Sequence, residues 1–239
     1  MITYTIKIAD CAIQITNIYD KCKTFCSEFI SDDQPIISVS TSQDDIEKER
    51  APYEKINGKC EDDGIIEIHV VFKKVSESLI DHGTFLMHGA AIAVNRNAYI
   101  FTGHSGVGKS THIKKWLLNA PDSIEINGDK PYIITGDVPM VCGSPWAGKE
   151  RFYTNTLFPL KAVVLLNRSD NNAIEKVPLV DIFPQLCQQI IRTDDRARTG
   201  KVLQMLGSIG SKVSFYRFYI NNFKEDCFDV AYKTLIGDK

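Results

Sequence analysis

The sequence predicts an α/β protein, with a mixed sheet around a glycine-rich loop and a mainly β region over residues 1–80 in front of it. Three observations carry this expectation. The stretch "YIFTGHSGVGKSTHIKKW", residues 99–116, sets Gly103, Gly106, Gly108 and Lys109 between an apolar run and a basic run. Just before it, "FLMHGAAIAVNRNAYIFTG" holds two apolar runs parted by Asn95-Arg96-Asn97, so a hairpin leads directly into the loop. Nearer the start, "ITYTIKI" and "AIQIT" alternate apolar and polar residues, and "GIIEIHVVFKK", residues 64–74, reads as a further strand.

The remaining elements follow in order. Residues 2–8 and 12–16 form a hairpin, and "DKCKTFCSEFI" a short helix. Residues 43–50 are a charge run, a solvated helix or loop, and residues 76–86 suggest a helix. Residues 98–102 are a short buried strand feeding the loop, and 111–118 the helix that leaves it. "SIEINGDKPYII" gives a strand ending at Asp129 and then another strand. "DVPMVCGSPWAGKERF" is a loop, and "LKAVVLLNR" an apolar strand over residues 160–168. "LVDIFPQLCQQIIR" reads as a helix with Pro184 in its first turns, and residues 199–209 as another. "VSFYRFYI" is an amphipathic strand and "KEDCFDVAYKTLI" a terminal helix. A hairpin directly upstream of such a loop is unusual, because common nucleotide-binding folds reach the loop strand from a parallel neighbour through a helix.

Composition narrows the function classes. A net charge of −2 gives no electrostatic case for nucleic acid or an anionic membrane. No apolar run approaches the roughly 20 residues that span a bilayer. The first residues lack a basic start followed by an apolar block, so no secretory signal and a cytoplasmic location are expected. The seven cysteines are odd in number and form no C-x-x-C, as expected of reduced thiols lying mostly in the core. The 239 residues divide into the N-terminal region, 1–80, and a larger domain that carries the glycine-rich loop, 81–239.

The loop carries the chemistry. Gly103 to Ser110 fits G-x-x-x-x-G-K-[ST], the phosphate-binding pattern. Glycines let the backbone wrap closely and turn its N–H groups inward. Lys109 is a movable charge for β- and γ-phosphates, and Ser110 offers a hydroxyl to Mg²⁺. Gly103, Ser105, Gly106, Val107, Gly108, Lys109, Ser110 and Thr111 are the expected contacts to ATP. Asp129, twenty residues after Lys109, suits a base or acceptor-orienting group in phosphoryl transfer, or a metal-holding acid. In "NGD" it would otherwise be a turn residue.

The segment from His88-Gly89 through "AAIAVNRNAYIFTGHSGVGKST", "EINGDK", "GSPWAGKE" and "PLKAVVLLNR" resembles the HPr serine kinase family. That family shares its core with ATP-dependent phosphoenolpyruvate carboxykinases. The likeness covers about residues 84–170 and continues loosely to the C-terminus. It is nearest to stand-alone HPr-kinase-like proteins, some encoded beside peptide natural-product pathways, which phosphorylate a serine of a precursor peptide. The resemblance implies a carboxykinase-like fold, ATP and Mg²⁺, and a serine-containing peptide or protein as acceptor. It places His88 near the site as a third catalytic residue beside Asp129 and Lys109. Asp129-Lys130 stands where HPr kinases have two aspartates. A small-molecule kinase acting on free serine, and a nucleotide-binding switch without transfer, therefore stay open, as does homo-oligomerisation.

Lys130 adds charge toward the γ-phosphate or points away. Glu150 is a second candidate metal ligand, with Ser110 and Asp129. Lys149 and Arg151 flank it in "SPWAGKER", a lip for the acceptor or a surface loop anchored by Trp146. Arg192, Arg196 and Arg198 either neutralise the transferring phosphate or form a solvated face. His104 and His112 read as surface residues. The strands over residues 1–80 either capture an extended peptide at a sheet edge or cover the apolar face of the core sheet.

Overall fold

The computed structural model describes residues 1–148, 153–190, 193 and 195–237. Within it the chain divides into two compact units, Met1–His82 and Gly83–Lys239.

In the first unit, β1 (Ile2–Ile8) and β2 (Cys11–Asn17) form the expected hairpin, with Tyr4 opposite Ile15 and Ile6 opposite Ile13. After α1 (Asp20–Phe25), β3 (Ile37–Ser40) adds to β2 in parallel and completes a three-stranded sheet. The charge run becomes α2 (Gln43–Asn57), which continues seven residues past Arg50. A capping box starts it: Ser42 accepts from Asp45 N, and the Asp45 carboxylate accepts from Ser42 N at 2.9 Å.

The expected strand over residues 64–74 is instead the middle of a helix, α3 (Asp63–Ile80). Its β-branched residues favour strand locally. Its buried residues, however, fall four apart, as Ile66–Val70 and as Val71–Val75–Leu79, which is a helical stripe. Asp62 caps it by accepting from Gly64 N at 3.0 Å. Glu67, fully buried on α3, accepts from Ile18 N at 2.7 Å and Tyr19 N at 2.9 Å, which tethers the helix to the end of the hairpin. The first unit is therefore an α-plus-β layer rather than mainly β, and residues 65–72 offer no strand edge for an acceptor peptide. The helix expected over 76–86 ends at Ile80.

The second unit opens with β4 (Thr84–Leu86) and the hairpin of β5 (Gly89–Val94) and β6 (Asn97–Thr102). Asn95 and Arg96 form its tip with φ of 50° and 62°, the left-handed pair that a two-residue hairpin turn demands. Then come α4 (Lys109–Asn119), β7 (Ile124–Asn127), β8 (Tyr132–Ile134), β9 (Met140–Cys142), β10 (Leu157–Arg168) and β11 (Ala173–Lys176). The chain ends with α5 (Leu179–Leu186), α6 (Arg196–Ser208), β12 (Ser214–Ile220) and α7 (Cys227–Leu235). Two short strands had no signal strong enough to read. β9 lies inside the expected loop, and β11 is an exposed strand of four residues.

The sheet is mixed. β10 runs parallel to β6 on one side and to β12 on the other, while β5 is antiparallel to both β6 and β7. Two antiparallel steps return β7 to the direction of β6. The carboxyl ends of β6, β7, β10 and β12, and the start of β5, therefore share one edge of the sheet. That edge carries the Gly103–Ser110 loop, His88, Asp129, Arg168 and Asn222.

One face of the sheet is closed by α4 and α7 around Trp116, which is fully buried. Its ring lies 5.8 Å from Phe101, 5.2 Å from Phe228 and 5.7 Å from Tyr232, centroid to centroid. His112, expected on the surface, is fully buried in the same cluster. The helix turns residue 112 toward the sheet, where its ring meets Phe101 at 4.8 Å and Phe218 at 5.3 Å. Among the described residues, no helix is long and apolar enough to cross a membrane.

Candidate functional site

The loop between β6 and α4 takes a conformation only glycines adopt readily. Gly103, Gly106 and Gly108 have φ of 147°, 75° and 107°. The left-handed Gly108 directly precedes the first turn of α4, so the turn's unpaired N–H groups open onto the loop. Lys109 is folded back into it: its Nζ donates to Gly103 O at 2.9 Å and to His104 O at 3.3 Å. Burial pushes the ammonium below its ordinary value, and the nearby Asp129 carboxylate opposes the shift. Val107 is buried under the loop, whereas Ser105, Ser110 and Thr111 are exposed at its mouth, as is His104.

Asp129 stands on the β5–β7 side of this loop. Its main chain is held from two directions. Asn127 Oδ1 accepts from Asp129 N at 2.9 Å and Lys130 N at 2.6 Å, and Gly89 N donates to Asp129 O at 3.0 Å. Asn127 is fixed in turn, its Nδ2 donating to the Ser144 carbonyl and hydroxyl, both at 3.1 Å. His88 Nε2 lies 3.3 Å from Asp129 Oδ1, and Lys130 Nζ donates to Oδ2. Burial works to raise the Asp129 carboxyl, but the His88 hydrogen bond and the Lys130 charge outweigh it and hold the group at about 2. Asp129 is therefore ionised at neutral pH, and the Lys130 ammonium lies against it.

Residues with no motif signal complete this arrangement. Gln189 grips His88 twice, through Oε1 at 3.1 Å from Nδ1 and through its carbonyl, which accepts from His88 N at 2.6 Å. Thr102 Oγ1 donates to His88 O at 2.7 Å. Gly148, φ 78°, lies flat against Asp129, and a Cβ there would sit 3.0 Å from the Asp129 Cβ. The Pro145–Gly148 stretch thus backs the carboxylate, and Trp146 within it is buried. Lys149, Glu150, Arg151 and Arg192 lie outside the described residues. Arg196 is exposed in the first turn of α6, with Arg198 two residues on.

On the opposite flank of the loop, Arg168 ends β10 and donates to Gly106 O. Asn222, just after β12, donates from Nδ2 to Gly108 O at 3.1 Å. Asn222 is braced from the core. Trp116 Nε1 donates to His112 Nε2 at 2.9 Å, which leaves the imidazole proton on Nδ1. Nδ1 lies 3.4 Å from Cys227 Sγ, and the thiol lies 3.4 Å from Asn222 Oδ1. Cys, His and Asn together could suggest a nucleophile. Burial instead pushes His112 down to about 3 and Cys227 up to about 11, so both stay neutral and the chain of contacts is structural. On this same flank lies a cleft of about 890 Å³, walled by Gly106, Thr111, Arg168, Asp170, Asn222 and Phe223 among others. A charged residue at the carboxyl end of a strand parallel to the loop strand is the signal that could have found Arg168.

The exposed Ser110 hydroxyl and the ionised Asp129 carboxylate are each hard oxygen donors of the kind Mg²⁺ takes.

No protein-family model matches the chain, and no curated protein matches it. Among solved structures it is similar to the Hpr(Ser) kinase/phosphatase from Coxiella burnetii. The likeness has a TM-score of 0.30 at 10% identity over 51% of this chain and 88% of that one, which is too slight to carry an argument about fold or chemistry.

Proposed function

We propose that this chain is an ATP-dependent phosphotransferase of the HPr serine kinase-like kind, passing the γ-phosphoryl group to a serine hydroxyl of a peptide or protein. One observation carries the reading. A glycine loop with an inward lysine and an ionised, clamped carboxylate share one edge of the sheet. In this reading the N–H groups at the start of α4 and the Lys109 ammonium hold the β- and γ-phosphates. Lys109 exchanges the Gly103 and His104 carbonyls for phosphate oxygens. Asp129 accepts the hydrogen bond of the incoming hydroxyl and aims its oxygen at phosphorus. A carboxyl near 2 is a weak base, which suits a loose transition state in which positioning outweighs proton removal. His88 and Gln189 keep the carboxylate aimed. Ser110 and Asp129 would hold Mg²⁺, which supplies charge neutralisation on the phosphates when bound.

A second reading, a nucleotide switch without transfer, draws on Lys130. Its ammonium covers Asp129 Oδ2, so an acceptor must displace it. Radiolabelled γ-phosphate transfer from ATP–Mg²⁺ to a panel of serine peptides, and to free serine, separates the readings. The proposal predicts label on peptide serine, lost in Lys109→Ala. Label on free serine alone makes it a small-molecule kinase. Nucleotide binding with no transfer to any acceptor favours the switch.

A further inference from the structure

We propose that the cleft beside the glycine loop holds the nucleoside, that its base stacks on Phe223, and that ATP and GTP are therefore bound alike. This rests on the nucleotide reading above and extends it to base selectivity.

Direction comes first. In-line transfer sets the acceptor and the leaving nucleotide on opposite sides of the γ-phosphoryl group. Asp129 and His88 lie on the β5–β7 flank of β6. The cleft lies on the β10–β12 flank, with Arg168 and Asn222 bonded to the loop's own carbonyls at Gly106 and Gly108. A triphosphate seated on the loop with its γ end toward Asp129 thus directs its nucleoside into the cleft. At about 890 Å³, the cleft falls within the range of small-molecule sites.

Phe223 supplies the second observation. It is fully exposed, yet its turn is braced. Phe223 N donates to Asn221 Oδ1 at 3.0 Å, Asn221 Nδ2 donates to Asp170 O at 3.2 Å, and Asn221 N donates to Asn172 Oδ1 at 2.6 Å. A phenylalanine held in water on a fixed turn at the rim of a cleft buries nothing of the fold. It is a ready face for an aromatic ring, and stacking on such a face is tolerant of base identity.

Selectivity follows from what the cleft has already spent. Asn221 and Asn222, the amide side chains that line it, use both ends within the protein: Asn221 on Phe223 N and Asp170 O, Asn222 on Gly108 O and the Cys227 thiol. Strong discrimination between bases needs buried groups that bond one base edge and are left unpaired by another. Here each of those amides already spends a donor and an acceptor inside the protein, and the stacking face is open to water. Arg168 and Asp170 at the rim are placed for phosphate and ribose hydroxyls, which every nucleotide shares.

The test is calorimetric binding of ATP, GTP, CTP and inorganic triphosphate, each with Mg²⁺, to the full chain and to Phe223→Ala. Because Phe223 is fully exposed, the substitution removes no core contact. The proposal predicts ATP and GTP affinities within about threefold, with CTP weaker, since stacking scales with ring area. Phe223→Ala should weaken ATP and GTP together by roughly 5- to 20-fold, the lower part of the stacking range, and leave inorganic triphosphate unchanged. Phe223→Trp should retain or tighten binding. Wild-type affinity for ATP in Phe223→Ala, or GTP weaker than ATP by more than about 100-fold, overturns the proposal while the loop reading stands. Failure of inorganic triphosphate to bind the wild type overturns both.

Discussion

Replacing Asp129 with asparagine keeps the size of the side chain and removes its charge. The carboxyl sits at about 2, below its ordinary value near 4, so the folded protein prefers the ionised form by the equivalent of somewhat under two pH units. At about 1.4 kcal/mol per unit, that preference is worth about 2 kcal/mol. The sign is fixed by the direction of the shift. A depressed carboxyl stabilises the fold above its unfolded value, near 4, and the contribution fades as pH falls toward 2. Asp129→Asn should therefore be about 2 kcal/mol less stable at pH 7 in urea unfolding, with the gap narrowing between pH 4 and pH 2. Phosphoryl transfer by the variant should drop roughly 10²- to 10⁴-fold with nucleotide affinity largely kept, the range for losing an acid–base or acceptor-orienting group. A stability gap that ignores pH would show that His88 and Lys130 do not set the state of Asp129. Collapse of nucleotide affinity with the rate on bound ATP preserved would leave Asp129 a metal-holding or structural residue alone and remove its acceptor-orienting role.

Four other outcomes follow from the same geometry. Gly148→Ala combines a φ of 78° with a Cβ 3.0 Å from that of Asp129, so it should slow transfer while ATP affinity, measured by calorimetry, holds. Gly108→Ala would set a Cβ 2.2 Å from Asn222 Nδ2 at a φ of 107°, and should abolish ATP binding along with the Asn222 contact. His112, held neutral by burial at about 3, takes up its proton only on unfolding across pH 3 to 6.5, so stability should fall as pH drops below about 6. His112→Gln should flatten that slope by up to about 1.4 kcal/mol per pH unit in urea titrations. Trp116→Ala, at the centre of the core between α4 and α7, should cost about 3–5 kcal/mol in the same assay.

Much of the second unit is legible in the chain because its signals are local. The Asn95-Arg96 turn, the glycine spacing and the apolar run of β10 each announce their element within a few residues. The first unit misleads at α3, where Ile65, Ile66, Val70 and Val71 favour strand while a four-residue burial stripe decides for helix. The polarity of His112 suggests the surface, whereas the indole of Trp116 one turn on gives its ring nitrogen a partner in the core. The neighbours of Asp129 and of the loop were invisible for another reason. Gln189 meets His88 across 101 residues, and Asn222 meets Gly108 across 114. Only the order of strands in the sheet brings them together, and no window of sequence holds both partners.

If the Gly103–Ser110 loop holds the phosphates of a nucleotide, backbone amide NMR of the full chain during titration with ATP–Mg²⁺ reads it directly. Saturable shifts are then expected to concentrate at Gly106, Gly108, Lys109, Ser110 and Thr111, to be reproduced by inorganic triphosphate and to be absent in Lys109→Ala. Unmoved loop amides at saturating ATP, or shifts gathered elsewhere in the chain, would contradict it.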